Sequence, residues 1–183
     1  MRVQTVLLIA LAGVAVASPI TYTLSTTAAG SIGSSNFSDS TITFTQVSDT
    51  SLVGTCFTTD TCPPASTSNT VTIQGLGTFT ITDSTRFFQN PTLSAIGFID
   101  NVTTLLIEDD SAFAAYAMVT NLGPIFDVVG TDSATGVNTS GGLLSFTGNS
   151  SDATFQAVTG SSSAPEPGFR AARHAIQDRQ ACI

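Results

Sequence analysis

Apolar side chains recur at every second position in four stretches of the first half of the chain. These are Ile20-Thr-Tyr-Thr-Leu24, Thr41-Ile-Thr-Phe-Thr45, Thr70-Val-Thr-Ile-Gln74 and Thr78-Phe-Thr-Ile-Thr82. A period of two puts the apolar set on one face of a strand and the threonines on the other, the pattern of antiparallel sheets covered on one side only. Threonine suits the solvent side because its branched Cβ fits the pleat. Between the last two stretches, Gly75-Leu-Gly77 predicts a hairpin or a bulge within one bent strand, and either makes the two halves neighbours.

The second half is more continuously apolar. Strands are predicted over Leu93 to Ile99, Val102 to Ile107, Ala112 to Leu122, Ile125 to Val129, Leu143 to Phe146 and Ala153 to Val158. The run Ala112-Phe-Ala-Ala-Tyr-Ala-Met-Val-Thr120 also fits a helix, through its alanines and the spacing of Phe113, Tyr116 and Val119. It is read as a strand because its neighbours are strands and Asn121-Leu-Gly-Pro124 closes it with turn chemistry. About nine or ten short strands at such spacing predict a single all-β domain, an antiparallel β-sandwich with a jelly-roll-like arrangement as one form of it. No βαβ alternation is present, which argues against a parallel α/β fold.

The N-terminus breaks this pattern. Arg2, an apolar run from Val6 to Val14 and then Ala15-Val16-Ala17 form a signal peptide with a small-x-small cleavage site. Cleavage by signal peptidase is predicted between Ala17 and Ser18, since cutting one residue later would place Pro19 beside the scissile bond. The apolar run is shorter than the roughly 20 residues that span a bilayer. The predicted organisation is a signal peptide over 1–17, the β domain over 18–159, a Ser-rich linker over 160–164 and a compositionally different tail over 165–183.

Charge narrows the function classes. Charged residues make up 10% of the chain, and the net charge is −8. All acids but Glu166 and Asp178 fall within residues 18–164, where Arg86 is the single cation. A domain so acidic has no basic surface for phosphate, so nucleic acid is excluded as a partner. With no lysine in the chain and His174 confined to the tail, the domain holds no ordinary base for a serine nucleophile. No catalytic residue, metal ligand or cofactor site is assigned from the sequence. Arg86 is expected to pair with Asp83 or a cross-strand acid beside Phe87 and Phe88.

Cys56 and Cys62 stand in a loop-like stretch of a chain read as exported, and are expected to form a structural disulfide. The alternatives are a metal site, for which further Cys or His ligands are lacking, and a redox pair, which favours two intervening residues. Cys182 is left over in the tail as a free thiol. The acids Glu108-Asp109-Asp110 are read as a solvated turn after the strand at 102–107, with calcium as the alternative reading. Consecutive side chains on an extended chain point to opposite sides and converge poorly on an ion. Sugar binding would draw on exposed aromatics, whereas most Phe occupy alternating strand positions that predict core.

After the Ser-rich linker, Pro165-Glu166-Pro167 resembles the start of the PEP-CTERM sorting signal of exported bacterial proteins. Similarity to the small β-rich bodies of that group extends over Ser18-Pro-Ile-Thr-Tyr-Thr-Leu-Ser-Thr26, Thr70-Val-Thr-Ile-Gln-Gly-Leu-Gly77 and Ala153-Thr-Phe-Gln-Ala157. The resemblance implies processing by an exosortase-type membrane enzyme and association with the cell surface or extracellular polysaccharide. The sequence then departs from the family, whose signal continues into an apolar membrane helix. Residues 168–183 are instead polar and basic, so no stable membrane anchor is expected from them. A shifted reading frame past Phe169 would produce such a break, as would loss of the anchor.

These readings lead to an exported, non-enzymatic cell-surface or extracellular-matrix protein. The alternatives are a carbohydrate-binding or adhesive module, which an exposed Phe or Tyr patch would support and a uniform Thr and Ser face would weaken, and a carboxylate-dependent glycosidase, which needs two acids facing each other in a cleft.

Overall fold

The computed structural model describes residues 17–100, 104–130 and 136–160. The predicted signal peptide as far as Val16, the motif Pro165-Glu166-Pro167, Cys182 and the rest of the tail lie outside the described residues. The architecture is all-β and antiparallel. Its strands are β1 (Pro19–Ile32), β2 (Ser35–Asp49), β3 (Gly54–Cys56), β4 (Asp60–Cys62), β5 (Thr70–Ile73), β6 (Gly77–Thr80), β7 (Thr85–Asn90), β8 (Ala95–Asp100), β9 (Thr104–Asp109), β10 (Leu122–Gly130), β11 (Val137–Thr139) and β12 (Gly142–Thr159). They run in the spatial order β3-β4-β7-β8-β9-β10-β12-β1-β2-β5-β6, with β11 beside β12. Gly75-Leu-Gly77 closes the β5–β6 hairpin, with Ile73 opposite Gly77.

β10 joins the two halves of the sandwich. Its first part pairs with β12, whereas Val129 and Gly130 pair with Glu108 and Ile107 of β9. The half built on β12, β1, β2, β5 and β6 is nearly a barrel at one end, because Ile81 beyond β6 bridges to Thr139 of β11, which pairs in turn with β12.

Alternation sorts the two faces. Inward, Phe155, Leu24, Phe44, Val71 and Phe79 form one cross-strand row from β12 to β6. In the opposing half, Phe87, Phe98 and Leu106 form another. The rows meet through rings: Phe44 stacks on Phe98 at 4.7 Å between centroids, and Phe87 lies 6.1 Å from Phe155. Outward, Gln156, Thr23, Thr45, Thr70 and Thr80 form one row, and Phe126, Thr154, Ser25, Thr43, Thr72 and Thr78 the next. Ser25 and Thr43 share a hydroxyl hydrogen bond, as do Thr72 and Thr78, each at 2.8 Å. Such cross-strand pairs stabilise the sheet face on which they lie.

Three expectations are corrected. The run Ala112 to Thr120 is not a strand; it is a 3-10 turn at Ser111–Phe113 followed by bends. Phe113, Tyr116 and Met118 all point into the core, an arrangement that a two-residue period cannot supply. Its ends are fixed by polar bonds, the Asp110 carboxylate accepting from the Ala112 N–H and the Tyr116 hydroxyl donating to the Thr120 carbonyl. Secondly, the segments Leu143 to Phe146 and Ala153 to Val158 belong to one long strand, β12, which remains paired with β1 through two register shifts. Thirdly, Glu108 and Asp109 are not a turn beyond β9 but its last residues, and Glu108 is fully buried.

Candidate functional site

Cys56 and Cys62 end the short strands β3 and β4, and they are joined as a disulfide with Cα atoms 5.8 Å apart. The stretch is a hairpin rather than a loop. Phe57 at its turn adopts a positive φ of 49° and stays largely exposed, with the Arg86 guanidinium 5.7 Å from its ring centroid. The expected partner Asp83 is engaged elsewhere, accepting from the backbone and side-chain amides of Asn138.

The acidic trio separates as strand geometry requires. Asp109 is exposed, Asp110 caps the 3-10 turn, and Glu108 points into the protein in one cross-strand row with Gln89 and Ile96. Both carboxyl oxygens of Glu108 are buried without a hydrogen-bond partner among the described residues. Burial first, then the negative charges of Asp127 and Asp110, push its pKa up to about 8. A lone carboxyl in an apolar setting is stabilised by keeping its proton. Among the described residues, no group of three or more His, Cys, Asp or Glu is placed to hold a metal ion.

The described surface has an open groove of about 650 Å³ at the irregular junction of β10, β12 and β1. Here β12 carries more residues than the stretch of β1 opposite: Thr26 faces Ala153, and Ala28 faces Asn149. The Thr26 hydroxyl donates to the Asp152 carbonyl at 2.8 Å across this shift. Phe126 and Asp127 line the groove from β10, Asp152 and Thr154 from β12, and Ser25 and Thr27 from β1. Phe126 is 72% exposed, in contrast to the buried Phe44, Phe87, Phe98, Phe113 and Phe155.

This groove is not evident from the sequence. Phe126 occupies an apolar run that reads as core, and it comes beside Thr154 and Asp152 only through the pairing of β10 with β12. The visible signal was the alternation itself: with Ile125 facing inward, Phe126 must face outward.

Comparison with protein-family models, curated proteins and solved structures gave no match to this chain. Among the described residues no helix is long and apolar enough to cross a membrane.

Proposed function

We propose that the chain is an exported, non-enzymatic component of the cell surface or extracellular matrix. The observation that carries this reading is the use the fold makes of its acids. Asp49 and Asp110 accept from the backbone amides of short turns, Asp83 holds Asn138, and Asp60 accepts from the Asn90 amide at 3.0 Å. Glu108, the acid whose raised pKa would suit proton transfer, is sealed from solvent and from the groove beside Phe126. A general acid must reach the atom it protonates. Carboxylates bound to turns and side-chain amides serve as structure, and Asp127 and Asp152, the two acids at the groove, lie on opposite faces of the sheet and do not form a facing pair.

The same reading draws on the signal peptide, the partial PEP-CTERM motif and the stapled hairpin, which suits an oxidising compartment. Processing would fall to signal peptidase and, where the motif is used, to an exosortase-type enzyme.

Brief protease treatment of intact producing cells tests the location, followed by immunodetection of the chain. Loss of signal from unbroken cells is expected. Full protection until lysis would contradict the proposal.

A further inference from the structure

We propose that the groove beside Phe126 binds a neutral glycan chain. This deepens the surface-and-matrix reading and rests on it, since such polymers occur outside the cell.

An aromatic ring stands on the solvent face of the sheet. Phe126 ends the outward row of Thr154, Ser25 and Thr43, and it is the one aromatic in a line of hydroxyls. Its ring is 72% exposed at the lip of a concave site. A pyranose ring offers the matching surface, with an apolar face of C–H groups for an aromatic ring and a rim of hydroxyls. Ligand sites commonly combine an apolar platform with a few convergent polar groups.

The polar groups present fit that rim. A carboxylate is an acceptor only, able to take hydrogen bonds from two neighbouring hydroxyls, and Asp152 is exposed on the same outward face of β12 as Thr154. Thr27, Thr154 and Ser25 contribute hydroxyls that both donate and accept.

Charge selects among glycans. The groove presents the Asp152 carboxylate and no cation, and Arg86 lies in the opposing half of the sandwich over Phe57. A uronate or sulfated polymer would meet repulsion from the site and from the acidic domain as a whole. Neutral chains meet none.

Affinity electrophoresis of the full chain, through gels containing a neutral β-glucan, a galactomannan or polygalacturonate, tests the assignment. Retardation by at least one neutral polymer is expected, insensitive to added salt. Phe126→Ala should weaken it roughly tenfold or more, Asp152→Asn should weaken it as well, and Phe57→Ala should leave it unchanged. The exposure of both Phe side chains makes unaltered melting curves the expectation for either variant.

Passage of the parent chain unretarded through every neutral gel would overturn the proposal. Undiminished retardation of Phe126→Ala, or retardation by polygalacturonate alone, would do the same. Release of reducing ends from the gel polymer would show a hydrolase, overturning the non-enzymatic reading along with it. Failure of the two readings is separable. A surface-exposed chain that binds no neutral glycan rejects the groove alone, and a glycan-binding chain protected inside intact cells rejects the surface location alone.

Discussion

The Tyr22 hydroxyl donates a hydrogen bond to the Met118 carbonyl at 2.5 Å, linking the start of β1 to an irregular segment 96 residues further along the chain. Both residues are completely buried, and the Tyr22 ring also lies 5.8 Å from that of Phe87. Burial raises the Tyr22 pKa above its ordinary value, with the neighbouring Tyr116 adding to the shift, so the phenol remains a donor across the accessible pH range. Segment 111–121 has no ladder of its own, and this bond with the Phe113, Tyr116 and Met118 side chains holds it against the core.

Removing that donor should therefore be costly for so small a change. Tyr22→Phe keeps the ring but leaves the Met118 carbonyl buried without its partner. The expected loss of stability is about 1–3 kcal/mol by chemical denaturation. An unchanged midpoint would show that the segment is held by packing alone.

Glu108 sets a pH dependence opposite in sign to that of most paired carboxylates. Its folded-state pKa of about 8 lies above the ordinary 4.5, so the unfolded chain releases this proton first. The contribution of Glu108 is fully present below about pH 4.5 and is lost as pH rises towards 8. The loss across that window is on the order of a few kcal/mol. Glu108→Gln has no proton to lose, so it should be more stable than the parent at pH 8 and nearly equal to it at pH 4.5. Parallel denaturation series for the two proteins measure the difference directly, and parallel curves would reject the buried-acid explanation.

Gly97 supplies a packing test. A Cβ built there would lie 2.4 Å from the Phe88 ring and 2.8 Å from the Leu106 carbonyl oxygen. The ring of Phe88, on the neighbouring β7, occupies the place of the missing side chain. Gly97→Ala should cost about 1–3 kcal/mol through displacement of that ring. A neutral effect in the melting curve would mean that Phe88 moves aside freely.

The disulfide closes a short loop, so its effect should be modest. Replacing both cysteines, as Cys56→Ser with Cys62→Ser, is expected to lower stability by about 2 kcal/mol while preserving the circular dichroism of a β protein. Loss of the entire fold would assign the hairpin a larger share of the structure than its position at the end of the strand order suggests.

How much of this was legible depended on whether a single periodicity governed the segment. Thr21 to Leu24, Ile42 to Thr45 and Val71 to Ile73 alternate strictly, and each emerged as a strand with its threonines outward. Segment 111–121 misled because its alanines and regularly spaced aromatics satisfy helix and strand templates about equally, while the actual backbone is set by tertiary anchors such as the Tyr22 bond. Glu108 reads as solvated from its charge, whereas strand geometry buries it. Its neighbours Leu105 and Leu106 are buried, and the inward face of β9 continues through it. The candidate groove was invisible for a different reason, since a register shift between β1 and β12 is a property of two distant strands.

The central proposal is that this chain is exported and matured. Ser18 precedes β1, where its N–H donates to the Thr50 hydroxyl at 3.2 Å and its carbonyl accepts from the Thr50 N–H, while Ala17 on the other side of the predicted cut is exposed. Mass spectrometry of the protein recovered from the medium and the surface fraction of producing cells is the most direct test. The expected N-terminal residue is Ser18, with Cys56 and Cys62 linked in the same molecule. A chain that retains Met1 and is found only in the cytoplasmic fraction would contradict the account.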